Sequence, residues 1–237
     1  MARKVHVLHP LWAWLRMRYS LLLVAQLLVF LVYPFVLDSP AGVVVMGGFI
    51  SVTVISGAWS MGSQHRRIAM LLALPTVVLL ATSIATRSDG ALLATCVVGV
   101  ACVGYEILRI FAHALEISRV TLEKVQASLA VFLLLGLAFA LAYSMLELMA
   151  AGSFSTGNAT ADGPFSAGHW ASPHMRGFSH LLFHSYMTLC ATTYGTVTAV
   201  SPPALALTAL ETLIGQLYIA ILVAQLMGLH LAFSAKR

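Results

Sequence analysis

A short polar run between two apolar stretches holds the residue types best suited to binding or passing a solute. Residues 188–202 read TLCATTYGTVTAVSP, a run too rich in threonine and glycine to form a membrane span. A polar segment at membrane depth is stable only if protein covers it or if it lines a water-filled path. The run therefore predicts a pore.

The chain contains no pattern typical of a catalytic centre. It lacks HExxH, GxSxG and Walker-type motifs and has no acid pair within its apolar stretches, and these are the signatures of common hydrolases. Cys96, Cys102 and Cys190 lack CxxC spacing and are expected to pack as small apolar side chains. Internal repeats with paired broken helices, which are usual in secondary transporters, are absent too. We therefore predict that the chain is not an enzyme and binds no metal or cofactor.

Three ionisable residues stand inside apolar stretches and leave alternatives open. Glu211 either forms hydrogen bonds behind the short helix that precedes the polar run or senses protons or ions. Glu106 and Arg109 are three residues apart, so they either pair on one helix face or Arg109 extends to the interface. A voltage sensor carries a basic residue at every third position, whereas this stretch offers Arg109 alone, which predicts shallow voltage dependence at best.

Four histidines precede or enter the short helix. Histidine binds zinc or titrates near neutral pH, so these residues are candidates for external pH or metal modulation. The alternative is that they are solvated loop residues, with His184 filling an aromatic position beside the pore. The four are His169, His174, His180 and His184.

The composition is that of an integral membrane protein. Of 237 residues, 60% are hydrophobic and 9% are charged, whereas soluble domains carry roughly 25% charged residues. The net charge of +5 comes from basic residues in short loops, without the aromatic and basic surface stripe of a nucleic-acid-binding protein. Membrane lipids are therefore the expected surroundings, and neither nucleic acid nor a soluble substrate is an expected partner.

The apolar stretches predict six spans and one short re-entrant helix. An interfacial segment (1–19) precedes a four-helix domain (20–112), and an amphipathic connector (113–123) leads to a second domain (124–237). Four spans of ~17–20 residues, long enough for a ~30 Å hydrocarbon core, are expected at 21–37, 41–59, 68–86 and 91–110. The second domain is divided into span five (124–149), an outer loop (151–177), a short helix (178–190) and span six (204–234).

The basic residues give the orientation. If the N-terminus is inside, eleven of the thirteen lysines and arginines lie on that side, and only Arg87 and Arg176 lie on the other. This positive-inside bias predicts cytoplasmic termini and an outward-facing loop at 151–177. The expected location is the cell membrane; the bacterial inner membrane is what the family resemblance given below implies.

Residues 185–228 resemble the pore module of tetrameric potassium channels, most closely the bacterial members. The likeness rests on SYMTL at 185–189, YG at 194–195, VSP at 200–202 and LETLIGQLYIAILVA at 210–224. The family typically reads TLTTVGYGDITPVSP, followed by LExLxGQLYxAxLVA. The resemblance implies a voltage-gated-channel-like, all-α fold, assembly as a homotetramer, and K⁺ or Na⁺ as the permeant ion in the filter. Residues 20–112 would then form a peripheral domain that resembles a sensor but does not sense voltage.

The resemblance also implies which residues form the pore. The implied filter is Ala191, Thr192, Thr193, Tyr194 and Gly195. The implied filter support and pore helix include His184, Met187, Thr188, Cys190, Thr196 and Glu211. The implied inner pore and hinge are Gly215, Ala220, Val223, Ala224 and Met227, with close helix packing as the alternative role of Gly215.

The filter departs from the family pattern at two positions. Aligned without gaps, T-V-G-Y-G becomes Ala191-Thr192-Thr193-Tyr194-Gly195, so Ala191 lacks the inner hydroxyl and Thr193 replaces the first glycine. Because backbone carbonyls and that hydroxyl replace the water shell of the ion, altered selectivity is expected. A shifted alignment that pairs 192–195 with T-T-V-G remains open. A non-conducting or regulatory protein that keeps the channel fold is the alternative function.

Overall fold

The computed structural model describes residues 19–36, 40–86, 88–114, 122–155, 175–192 and 197–234. Within these ranges most residues are helical, and two strands of two residues each complete the structure. The helices are α1 (Ser20–Val36), α2 (Pro40–Trp59), α3 (Ser63–Thr86), α4 (Asp89–Ala114), α5 (Leu122–Met149), α6 (Met175–Leu189) and α7 (Pro202–Ser234). The strands are β1 (Phe154–Ser155) and β2 (Thr198–Ala199). The predicted segment 1–19, apart from Tyr19, and most of the connector and outer loop lie outside the described residues.

Four of the helices are long and apolar enough to cross a membrane. They are α3, α4, α5 and the Pro202–Ala224 part of α7, whereas α1 and α2 contain the shorter apolar stretches Ser20–Val32 and Val44–Trp59. By length and composition the chain is therefore built as a helical membrane protein. The arrangement of six spans stays a prediction.

The helices α1 to α4 pack in sequence and then against α5 of the same chain. Small residues allow the close contacts: a side chain at Gly99 of α4 would lie 3.1 Å from Leu141 of α5. Nearer the start of α5, the Gln26 amide of α1 donates to the Ala130 carbonyl at 3.3 Å. Phe30 of α1 also meets Tyr186 of α6 edge to face, with ring centroids 5.7 Å apart. The four-helix domain is thus joined to both α5 and α6 by direct contacts.

The two strands tie the segment after α5 to the segment before α7. Phe154 pairs with Ala199 in an antiparallel register, and the Val200 amide donates to the Ser153 carbonyl at 2.9 Å. The carboxylate of Glu147, at the end of α5, accepts from the backbone amides of Gly152 and Phe154 at 2.7 and 3.1 Å. This small bridge holds the chain on either side of α6 at one end of the α5–α6–α7 unit.

Candidate functional site

The short helix α6 lies between two much longer helices, α5 and α7. Its 15 residues rise only about 22 Å, which is too short for a ~30 Å hydrocarbon core. The sequence predicted this helix at 178–190, and the structure has it at Met175–Leu189. Helix α6 ends two residues into the polar run 188–202.

Glu211 joins all three helices of this unit. It is fully buried on α7, where Tyr143 of α5 donates its hydroxyl to Oε2 and Ser185 of α6 contacts Oε1. Ser185 Oγ also lies 2.7 Å from the Gly136 carbonyl of α5. A serine hydroxyl has one proton, so both of its contacts to acceptor oxygens are hydrogen-bonded only when Glu211 carries a proton on Oε1. The arrangement favours a neutral carboxylic acid with a structural role behind α6.

Three rings, those of Tyr143, Phe154 and His184, pack against one another beside Glu211. Tyr143 lies 5.0 Å from Phe154 and 5.6 Å from His184, centroid to centroid. His184 is half-buried on α6, and burial lowers its pKa below the usual value of 6.5. His184 is therefore a neutral ring at neutral pH, which suits the aromatic role better than that of an acid sensor. His169 and His174 lie outside the described residues, and His180 lies one turn before His184.

A regular capping motif ends α6. The Thr192 amide donates to the Met187 carbonyl at 2.8 Å, and the Ala191 amide donates to the Thr188 carbonyl at 2.9 Å. These two bonds form a Schellman motif, in which the residue after the last helical turn takes a left-handed conformation. That residue is Ala191, with φ of +55°, where glycine would be favoured. Ala191 is therefore the cap of α6, and exposed Cys190 lies in the same turn.

The remaining filter residues are described only in part. The Thr192 hydroxyl donates to the Met187 carbonyl at 3.1 Å, so it serves the helix end. Thr193, Tyr194, Gly195 and Thr196 lie outside the described residues. Val197, the first described residue after them, is buried and directly precedes β2. The alignment of the filter with the family pattern stays open between the two registers.

Helix α7 presents one buried face and one uncovered face. Gly215 lies on the buried side, and a side chain there would overlap the Leu189 carbonyl at the end of α6, so Gly215 allows close packing. Tyr218, on the same side, donates to the Ser128 carbonyl of α5 at 2.6 Å. At about 3.6 residues per turn, the predicted inner-pore residues fall on the opposite face. These residues are Ala220, Val223, Ala224 and Met227, and all four are exposed.

The ionisable residues of α4 contradict one of the two alternatives, and the other, in which Arg109 extends to the interface, stays a prediction. The predicted pairing of Glu106 with Arg109 is wrong, because the Arg109 guanidinium contacts the His65 ring of α3 instead. Glu106 is fully buried, and neither of its oxygens has a hydrogen-bond partner among the residues that the structure describes. Within the described residues, no group of three or more histidine, cysteine or acidic side chains could hold a metal ion.

Comparison of the chain with protein-family models, curated proteins and solved structures found no match. The resemblance to potassium channels therefore rests on the residues at 185–228 alone. Two features of the site could not be found from the sequence. Tyr143 stands among mostly apolar residues of α5, and nothing marks its contact with Glu211. His65 stands in the basic sequence QHRR, and nothing marks its contact with Arg109.

Proposed function

We propose that the chain is the subunit of a tetrameric channel that passes monovalent cations, K⁺ or Na⁺, with altered selectivity. The observation that carries this proposal is the half-length helix α6, held between α5 and α7 through Glu211 and ending at the polar run. A short helix that leads to a polar loop at membrane depth is the arrangement by which membrane proteins form water-filled paths. It also agrees with the resemblance at 185–228.

The uncovered face of α7 supports assembly around an axis. Only 17% of the apolar part of α7 is buried within the chain, compared with 50% for α5. Val223 and Met227 remain 54% and 59% exposed. In a tetramer this face would line the inner pore and meet neighbouring copies, with lipid around the outside.

A second candidate function is a non-conducting membrane protein that keeps the channel fold. Two observations favour it. Ala191 serves as a helix cap and brings no hydroxyl to a filter, and the Thr192 hydroxyl is hydrogen-bonded to Met187. In the ungapped alignment Thr193 in addition stands where the family has a glycine, and a β-branched residue enters the left-handed conformation only at a cost of ~1–3 kcal/mol.

Flux from liposomes separates the two functions. The purified full-length protein is reconstituted with K⁺ inside and Na⁺ outside, and in the opposite arrangement, with protein-free liposomes as the control. Flux of either ion supports the channel and eliminates the non-conducting protein. The absence of monovalent cation flux at every pH and voltage tested contradicts the channel. If only Thr193→Gly conducts, the second function is supported.

A further inference from the structure

Glu106 occupies a notch between α4 and α2 that exists because residue 57 has no side chain. A Cβ atom at Gly57 would overlap the Glu106 carboxyl group. The side chain is fully buried, and both of its oxygens lack a hydrogen-bond partner within the described residues. The Ala58 backbone amide of α2 lies near the carboxyl without forming a hydrogen bond of ordinary geometry. An ionised carboxylate in such a place would cost several kcal/mol.

Arg109 is the natural partner of Glu106, yet it is held elsewhere. The two residues stand three apart on α4, so their side chains reach the same face. The Arg109 guanidinium instead contacts Nε2 of His65, and Tyr105 Oη lies 3.3 Å from Nδ1 of the same ring. Arginine can only donate, so Nε2 must be the acceptor and the ring is neutral, with its proton on Nδ1. A neutral histidine therefore keeps the cation away from the acid.

The other ionisable groups near Glu106 do not replace Arg109. On α4, Cys102 lies one turn earlier and is a buried thiol. The whole of α2 contains no ionisable side chain. Besides His65, helix α3 carries only two exposed arginines, and one of them lies 5.3 Å from the ring of Trp59. Helix α5 carries Glu123 and Lys124 in its first turn and Glu147 in its last turn.

We propose that Glu106 is a proton-binding site of the four-helix domain. In the packed arrangement the carboxyl group carries a proton. When that proton leaves to solvent, Arg109 exchanges the His65 ring for the Glu106 carboxylate, while His65 keeps its Nδ1 proton. The site thus couples the loss of one proton to the release of the α3–α4 contact. It is independent of whether the pore conducts and of which ion it passes.

Infrared spectroscopy of the purified full-length protein tests the site directly. A protonated buried carboxyl group gives its own carbonyl band, and we expect the neutral-pH spectrum to lose one such component in Glu106→Gln. The matched control is Glu211→Gln, which replaces the other buried acid and should leave the Glu106 component in place. A neutral-pH spectrum from which Glu106→Gln removes nothing would overturn the proposal.

Two further variants test the exchange of Arg109. His65→Ala frees Arg109 to meet the carboxylate, so the Glu106 band should vanish at a pH about one unit lower than in wild type, a tenfold change in proton affinity. Arg109→Gln removes the partner, so the band should persist to a pH about one unit higher. If His65 and Arg109 had a purely structural role, the two variants would not shift the pH at which the Glu106 band disappears in opposite directions. If Arg109→Gln does not fold, His65→Ala decides alone, and no downward shift there refutes the exchange.

Discussion

Replacement of Glu211 tests whether a neutral acid holds the α5–α6–α7 unit together. Glu211→Gln keeps the shape of the side chain. Its carbonyl oxygen can accept from the Tyr143 hydroxyl, and its amide can donate to Ser185 Oγ in place of the acid proton. Because every hydrogen bond has a counterpart, we expect this variant to lose less than about 1 kcal/mol of stability.

Glu211→Ala removes the same contacts without replacing them. Ser185 still has the Gly136 carbonyl at 2.7 Å, but the Tyr143 hydroxyl loses its acceptor at Glu211, which costs about 1–3 kcal/mol. The space left by the side chain adds a cavity cost of about 2 kcal/mol. The total of about 3–5 kcal/mol corresponds to a fall of roughly 10 °C or more in the thermal unfolding midpoint.

The assay is thermal unfolding of the purified protein in one detergent, with each variant compared with wild type. Tyr143→Phe is expected to cost about 1 kcal/mol, and Tyr218→Phe is its matched control, since Tyr218 also donates a buried hydroxyl, to the Ser128 carbonyl. A Glu211→Gln variant as unstable as Glu211→Ala would refute the reasoning. It would mean that the site needs a charged carboxylate, whose hydrogen bonds are stronger than those of an amide.

Four further changes test other parts of the unit. Ala191→Gly should stabilise the protein by about 1 kcal/mol, because glycine adopts the left-handed cap without strain; an unchanged or lower unfolding midpoint would contradict the capping role. Gly215→Ala should lower the unfolding midpoint by several degrees, since even a methyl group overlaps the end of α6. An unchanged midpoint would instead favour the role of Gly215 as a hinge. Val223→Trp should abolish cation flux if this face lines the pore, whereas Leu71→Trp, on the exposed side of α3, should leave the flux unchanged; equal effects would argue against the assignment. Burial lowers the pKa of His184 in the folded protein, so the unfolded chain binds a proton at this residue more readily than the folded one does. The folded state is therefore not penalised above the ordinary pKa of histidine, and it loses stability as the pH falls through that value. Wild type should therefore lose stability between about pH 7.5 and 5.5, and His184→Phe should lose less; the same loss in both would exclude His184 as the cause.

The helices could be predicted from the sequence because hydrophobic length is a property of each stretch alone. The predicted short helix at 178–190 agrees with α6 to within three residues at both ends, and the predicted start of the last helix at 204 is two residues from the start of α7. The cap at Ala191 was missed, because the resemblance assigned this residue to the filter and gave no reason to place a helix cap there. No sequence signal marks a non-glycine residue that takes a left-handed conformation in a Schellman motif.

Contacts between helices could not be predicted in the same way. Glu106 and Arg109 have the spacing of an ion pair, and the pairing fails because His65, from another helix, competes for the guanidinium. The strands around Phe154 and Ala199 are two residues long and carry no periodicity that could be recognised. Both features depend on contacts between segments that are distant in the chain, and the hydrophobic periodicity of a segment does not predict such contacts.

The two buried acids of the described part of the chain differ in a way that follows from their neighbours. Glu211 lies among hydroxyl groups, which can donate to it or accept from it, so gain or loss of its proton reorders hydrogen bonds without displacing a side chain. Glu106 faces a glycine, and no described residue places a hydroxyl within hydrogen-bonding distance of it, so loss of its proton leaves a charge that the movement of a cation would offset. A change of proton occupancy is therefore expected to be silent in the α5–α6–α7 unit and to move Arg109 in the four-helix domain.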